Sequence, residues 1–352
     1  MRHSPGSLED TIREAAARGR RLCIRGGGTK DFYGGALEGE PLELGGYGGI
    51  VEYEPTELLV TARAGTLLAD LERTLAAQGQ MLGFEPPGFA GATLGGAVAS
   101  GLAGPRRVCC GTVRDFLLGV ELIDGRGERL RFGGRVIKNV AGFDVTRLMA
   151  GSLGTLGVLT EITLKTLPRP PEELTLRFAL GQERALESMN RWAARPLPIS
   201  ATAWHDGQLS VRLSGSAAAV RAARDSLGGE LAQQGETYWR RVTEQRLAPF
   251  EGCEELWRLA LPAGAPVLAL PAPVLLEWNG VRRWVPGPLP GFDLRAICAM
   301  HGGHATLYRA RGKPAEGPFP PLPGPLLALH RRLKSVFDPH GLFNRGRLHP
   351  AL

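Results

Sequence analysis

The chain has 352 residues, 43% hydrophobic and 22% charged, the balance of an ordinary soluble globular protein with room for two domains. Its net charge of +7 comes mostly from scattered arginines, without a lysine/arginine block interleaved with aromatics, which argues against nucleic-acid binding. Five cysteines without framework spacing or a Cys-x-x-Cys pair argue against a disulfide-stapled fold and an iron–sulfur cluster held by this chain.

In chain order, Ser7 to Arg18 predicts a helix with Ser7 as N-cap and Gly19 as stop. Arg20 to Ile24 is a short strand running into a glycine turn. Ile50 to Tyr53 and Leu58 to Ala64 read as two strands, and Thr66 as the cap of a helix to Gln78 that turns Leu67, Leu68, Leu71 and Leu75 to one face. A Gly/Ala-rich helix is expected at Leu94 to Leu102. Phe116 to Ile123 and Glu128 to Phe132 form a hairpin around Asp124-Gly125. Phe143 to Met149 is helical, and Val158 to Leu167 one long strand. Beyond the linker Pro168 to Pro171, strands (Leu174 to Leu180, Gln208 to Leu213) alternate with helices (Gln182 to Ala194, Ser216 to Leu227), which suits a sheet backed by helices. Asn279-Gly280 signals a type I′ hairpin between Val274 to Trp278 and Val281 to Val285. A proline-rich connection at 312 to 325 leads to a basic helix ending at Phe337. The N-terminus carries no signal-peptide pattern and the apolar stretches are too short and Gly/Pro-rich to span a bilayer, so a cytoplasmic chain is expected.

Glycine is abundant at 49 residues, with most of the excess before residue 160. Three loops concentrate it: Arg25-Gly26-Gly27-Gly28-Thr29-Lys30, Gly91 to Gly96 closing on Gly101, and Gly151 to Gly157. The first is neither a Walker loop nor a Gly-x-Gly-x-x-Gly helix start. It can be a plain surface turn, or a turn whose N–H groups wrap a diphosphate, with Arg25, Thr29 and Lys30 adding charge and hydroxyl contacts. The second can be a tightly packed helix or an N-terminus facing phosphate, with the Thr93 hydroxyl nearby. Pro86-Pro87 is a stiff extended piece suited to holding a flat ring. Arg114-Asp115 can be a surface pair or can orient backbone around a cofactor. His301 and His304 do not make a metal pair by themselves.

The ordered set Arg25 to Thr29, Gly91-x-Thr93-Leu94-Gly95-Gly96, Gly111-x-Val113-Arg114-Asp115, Val120-Glu121-Leu122-Ile123-Asp124-Gly125-x-Gly127-Glu128 and Gly151 to Val158, with the tail Phe337-Asp338-Pro339-x-Gly341-x-Phe343-Asn344, resembles the PCMH-type (vanillyl-alcohol-oxidase) FAD-binding superfamily over residues 1 to about 168 and the tail. Lys138 to Asp144 and the short second part make the chain similar to the FAD-binding E subunits of bacterial glycolate oxidases. The resemblance implies an α+β fold: a two-part FAD-binding domain at 1–168, a smaller α+β sheet-plus-helices domain at 171–311, and a segment at 312–352 that returns to the FAD domain.

The same resemblance implies the roles. Gly26 to Thr29 would wrap the FAD pyrophosphate beside Arg25 and Lys30. Pro86, Pro87, Thr93, Gly95, Gly96 and Gly101 would line the flavin and ribityl side. Gly111, Arg114 and Asp115 would sit by the adenosine–phosphate part, Gly154, Gly157 and Val158 would contact the cofactor through backbone, and Asn344 would approach the ring. Arg345 stands where relatives carry proline. Gly28 occupies the position of the superfamily's histidyl link, so non-covalent FAD is expected; Cys109-Cys110 lies in the broad region of a cysteinyl link. No metal and no catalytic base are assigned. The implied function is that of an FAD subunit in a multi-subunit glycolate oxidase, oxidising glycolate to glyoxylate beside a larger FAD-containing subunit and an iron–sulfur subunit, peripheral to the inner membrane through them. The alternatives are a stand-alone FAD-dependent 2-hydroxy acid oxidoreductase and a flavin-free assembly subunit.

Overall fold

The computed structural model describes residues 5–134, 144–248 and 250–352. The chain divides into two compact units, one of Met1–Leu102, Thr112–Pro168 and Lys313–Leu352, the other of Ala103–Gly111 and Arg169–Gly312. Both mix helices with antiparallel sheet, in line with the α+β expectation.

The first unit is built on a five-stranded antiparallel sheet in the order Ile50–Glu54, Leu59–Arg63, Val158–Lys165, Leu117–Ile123, Arg129–Gly133. Val158–Lys165 is covered on both faces, so its polar side chains are paired internally: Thr163 Oγ1 lies 2.9 Å from Thr61 Oγ1, and Thr160 Oγ1 donates to Glu121 Oε1 at 2.9 Å. Glu121 is buried as well, and the guanidiniums of Arg129 and Arg131 hold its carboxyl below the usual range although burial pushes the other way. Leu8, Ile12 and Ala15 of the helix Pro5–Arg18 recur at helical spacing and pack on Leu22, Ile123, Val158 and Phe343. Leu22–Arg25 pairs in parallel with Glu40–Glu43.

Four local expectations change. The first helix begins at Pro5, so Ser7 lies within it and is not its N-cap. The second helix spans Leu68–Ala77 with Leu67 at its N-cap, exposed at 42%, and only Leu68, Leu71 and Leu75 of the predicted stripe are buried. Thr66 does not cap it, because its hydroxyl is taken by Arg63 O at 2.7 Å and by Gly49 N at 3.0 Å. The long strand breaks after Lys165: Leu167–Pro168 pairs separately with Gln80–Met81, and the buried Thr166 hydroxyl turns to Gln80 Oε1 at 2.6 Å.

The second unit carries an eight-stranded sheet, antiparallel throughout, in the order Glu230–Leu231, Glu172–Ala179, Gln208–Gly215, Ile199–His205, Leu275–Glu277, Arg282–Gly287, Glu255–Ala260, His304–Ala310. Helices Gln182–Ala193, Ala217–Leu227 and Leu294–Met300 contribute Leu186, Met189, Trp192, Val220 and Cys298 to a core shared with Trp204, Leu209, Val211 and Leu259. The hairpin at Asn279-Gly280 is wider than the two-residue turn predicted: the last pair is Glu277 with Arg282, and Trp278 joins Asn279 and Gly280 at positive φ. Trp278 is held there by its neighbours. Its indole N–H donates to Gly104 O at 3.1 Å, and the Arg282 and Arg107 guanidiniums lie 3.2 and 4.1 Å from its ring centroid. These contacts, with Arg282 Nη2 donating to Ala103 O at 2.7 Å, place residues 103–111 in the second unit.

Candidate functional site

The strand Leu22–Arg25 delivers the chain into the first glycine loop. Gly28 turns it at φ +67°, and Arg25 closes the turn through an ion pair with Asp31 at 2.5 Å. The loop lies directly on the second one. A Cβ on Gly26 would fall 2.2 Å from Thr93 Oγ1, and one on Gly27 only 1.8 Å from Gly91 O. Thr93 caps the helix Leu94–Ser100 by accepting from Gly96 N at 3.3 Å. The third loop arrives through Asn344. Its side-chain oxygen accepts from Ile24 N at 2.7 Å and its amide nitrogen donates to Leu153 O at 2.6 Å. A Cβ on Gly154 would meet that nitrogen at 2.7 Å.

Two adjoining cavities occupy this convergence. One, of about 80 Å³, is lined by residues 25–31 with Thr93, Gly96, Ser100, Leu153, Asn344 and Arg347. The other, of about 70 Å³, is a slot of small and apolar residues: Gly26, Leu44, Ala64, Gly95, Gly96, Ala99, Gly154, Gly157 and Leu159. Gly26, Thr93, Gly96, Leu153 and Asn344 line both, so the two form one groove. Lys30 Nζ is buried at its edge with no hydrogen-bond partner among the described residues. Desolvation pushes its pKa down to about 8. A buried cation without a counter-charge is a standing cost that an anionic ligand removes. Close-set backbone, a capped helix start and a buried ammonium that meets the Phe89 ring but donates no hydrogen bond among the described residues, beside an apolar slot, fit the diphosphate and rings of FAD.

Of the residues singled out from the sequence, the structure gathers Arg25, Gly26, Gly27, Gly28, Thr29, Lys30, Thr93, Gly95, Gly96, Gly154, Gly157 and Asn344 around this groove. The others lie outside its lining. Pro86 and Pro87 are buried after Glu85, which itself has φ +45°. Gly101 ends its helix at φ +63° and lets Gly151 approach closely. Gly111 belongs to the second unit. Asp115 accepts from Thr112 N at 2.7 Å in a capping box on the short helix Val113–Phe116, which also carries Arg114. Val158 is in the core, paired with Ile123. Residues 138–143 of the Lys138–Asp144 motif lie outside the described residues.

Sequence reasoning missed Arg347. It is 5% exposed, and its guanidinium donates to the carbonyls of Asp31 at 3.2 Å, Gly35 at 2.5 Å and Lys30 at 3.4 Å, and also to that of Tyr33, fixing the segment after the glycine loop. The only sequence signal is an arginine three positions past Asn344. Lys334 braces the tail from below, donating to Thr155 O at 2.7 Å and Phe343 O at 2.8 Å beside Asp338. Among the described residues no cluster of three or more His, Cys, Asp or Glu could hold a metal ion, and no helix is long and apolar enough to cross a membrane.

Residues 3–133 match the family model described as FAD binding domain. Over the whole molecule the chain is similar in fold to alkyldihydroxyacetonephosphate synthase, with a TM-score of 0.67 at 16% identity, covering 97% of this chain and 74% of that one. It is 33% identical over 180 residues to a D-lactate dehydrogenase of Anaerostipes hadrus, 48% of this chain and 38% of that one. It is 34% identical over 158 residues to glycolate oxidase subunit GlcD of Bacillus subtilis, 45% of this chain and 32% of that one. Glycolate oxidase subunit GlcE of Escherichia coli K12 is similar along its length: 44% identity over 347 residues, 98% of this chain and 97% of that one. At that identity and coverage, the chain belongs to the GlcE family of glycolate oxidase subunits, with an FAD-binding domain in its N-terminal part.

Proposed function

We propose that this chain is an FAD-carrying subunit of a multi-subunit glycolate oxidase that converts glycolate to glyoxylate and passes the electrons to an iron–sulfur partner. The observation that carries the reading is the near full-length likeness to GlcE, on a chain whose three glycine loops converge on one groove. Bound FAD would supply the redox chemistry, as hydride acceptor and electron donor. The chain's own residues hold it. Backbone N–H groups of 26–29 and the Lys30 ammonium would hold the pyrophosphate, Thr93, Gly95, Gly96, Gly154 and Gly157 would leave room for the rings, and Asn344 and Arg347 fix the loops. Binding is taken as non-covalent, which the absence of histidine and cysteine among the described residues lining the groove supports.

The titratable groups lining the groove are Arg25, Lys30, Asp31 and Arg347. Asp31 is ion-paired and Arg347 is committed to carbonyls, so among the described residues lining the groove no carboxylate or imidazole is free to act as a base. This supports assigning the abstraction of the substrate's hydroxyl proton to the larger flavoprotein partner, and flavin housing and electron relay to this chain. Purification of the native complex tests the reading. The complex should reduce a dye with glycolate, while this chain alone should be yellow but inactive. Turnover of glycolate or D-lactate by the isolated chain would replace this reading with a stand-alone oxidoreductase; a colourless chain would leave only an assembly role.

A further inference from the structure

Cys109 and Cys110 sit at the end of the short helical turn Arg107–Cys110 in the second unit, both reduced, with their sulfurs 3.3 Å apart. Cys109 is exposed, and it lines a cavity of about 130 Å³ with Trp192, Arg195, Ser200 and Asn279. That volume admits several waters, and therefore a small peroxide. The other three cysteines differ: Cys23 and Cys298 are buried, and Cys253 stands apart with its thiol turned to Phe250 O at 3.2 Å.

We infer that Cys109-Cys110 is a reversible oxidation site, closing to a disulfide between adjacent residues under hydroperoxide. Adjacent Cα atoms are held about 3.8 Å apart by a trans peptide, whereas ordinary disulfides span about 4.4–6.8 Å. The closed ring is therefore strained and easily reduced, the property of a labile modification and not of a staple. The Cys109 thiol donates to Arg106 O at 3.2 Å, and its sulfur lies within reach of Cys110 Sγ. One of the two sulfurs takes a peroxide oxygen as the O–O bond breaks and one water leaves, giving a sulfenic acid. The other sulfur next attacks it, the S–S bond forms, and the hydroxyl leaves with that thiol's proton as a second water.

The full chain, treated with limiting hydrogen peroxide and then alkylated, tests this. Trypsin releases Val108 to Arg114, which holds both cysteines and no other. The expected result is loss of two alkylatable thiols per chain, this peptide lighter by two hydrogens, and full reversal by dithiothreitol. In C109S and in C110S, dimedone should capture a sulfenic acid at the cysteine that remains. Oxygen addition to both sulfurs, disulfides between chains, or an unchanged peptide at peroxide levels that oxidise Cys253 would overturn the site. No capture in either variant would likewise overturn it.

Discussion

In the first unit, Gly26, Gly27 and Gly154 bring backbone to within distances that a single Cβ would violate, and a groove bordered by main-chain atoms results. In the second, Trp278 is sandwiched between Arg282 and Arg107, and Trp284 donates its indole N–H to a fully buried Glu277. One region obtains its chemistry by leaving side chains out, the other its rigidity by filling space with large ones. The difference predicts how each fails: substitutions at the close-set glycines of the first should cost ligand, and substitutions of the packed side chains in the second should cost the fold.

The largest expected effect is in the second unit. Arg282→Met removes the cation that pairs with the buried Glu277 at 3.4 Å and that stacks on Trp278. A loss of about 3–5 kcal/mol in denaturant unfolding is expected, with FAD affinity of the folded fraction unchanged. Asn344→Ala comes next, since it strands Ile24 N and Leu153 O, for about 2–4 kcal/mol by the same measurement. Gly27→Val places carbon onto the Gly91 carbonyl and should weaken FAD about a hundredfold, or ~2.7 kcal/mol, in a fluorescence titration. If FAD affinity instead followed Arg282→Met as strongly as Gly27→Val, the contrast between the units would be wrong.

Lys30→Met is the smallest and most specific change, weakening FAD about tenfold. It also has a pH signature. The folded-state pKa of Lys30, about 8, lies below the ordinary lysine value, so the unfolded chain binds more protons between them. Relative to Lys30→Met, the ligand-free chain should gain stability as pH rises from about 8 towards the ordinary lysine pKa, while FAD affinity should fall across the same window as the ammonium is lost. Parallel pH profiles for both proteins would contradict the role given to Lys30.

The glycine loops were legible because their signal is local: each glycine cluster follows or precedes a strand or helix start, and the close approach of backbone they allow needs no distant side chain. The α+β class was legible for the same reason, from periodicity and turn residues. What sequence could not show is carried by distant partners. Arg347 acts on carbonyls more than three hundred positions upstream, and residues 103–111 join the second unit through Trp278 and Arg282. Thr66 read as a helix cap because capping is what such a residue does beside a local helix, and a backbone loop at Gly49 outcompeted it. Asn279-Gly280 kept its turn, but Trp278 widened it because its ring had stacking partners only folding could supply.

Titration of the flavin-stripped full chain with FAD, followed by gel filtration and an absorbance spectrum, is the most direct test of the convergent groove. One FAD retained per chain, released intact on denaturation and lost in Gly27→Val, is the predicted result. A folded wild-type chain that elutes colourless after incubation with excess FAD would contradict it.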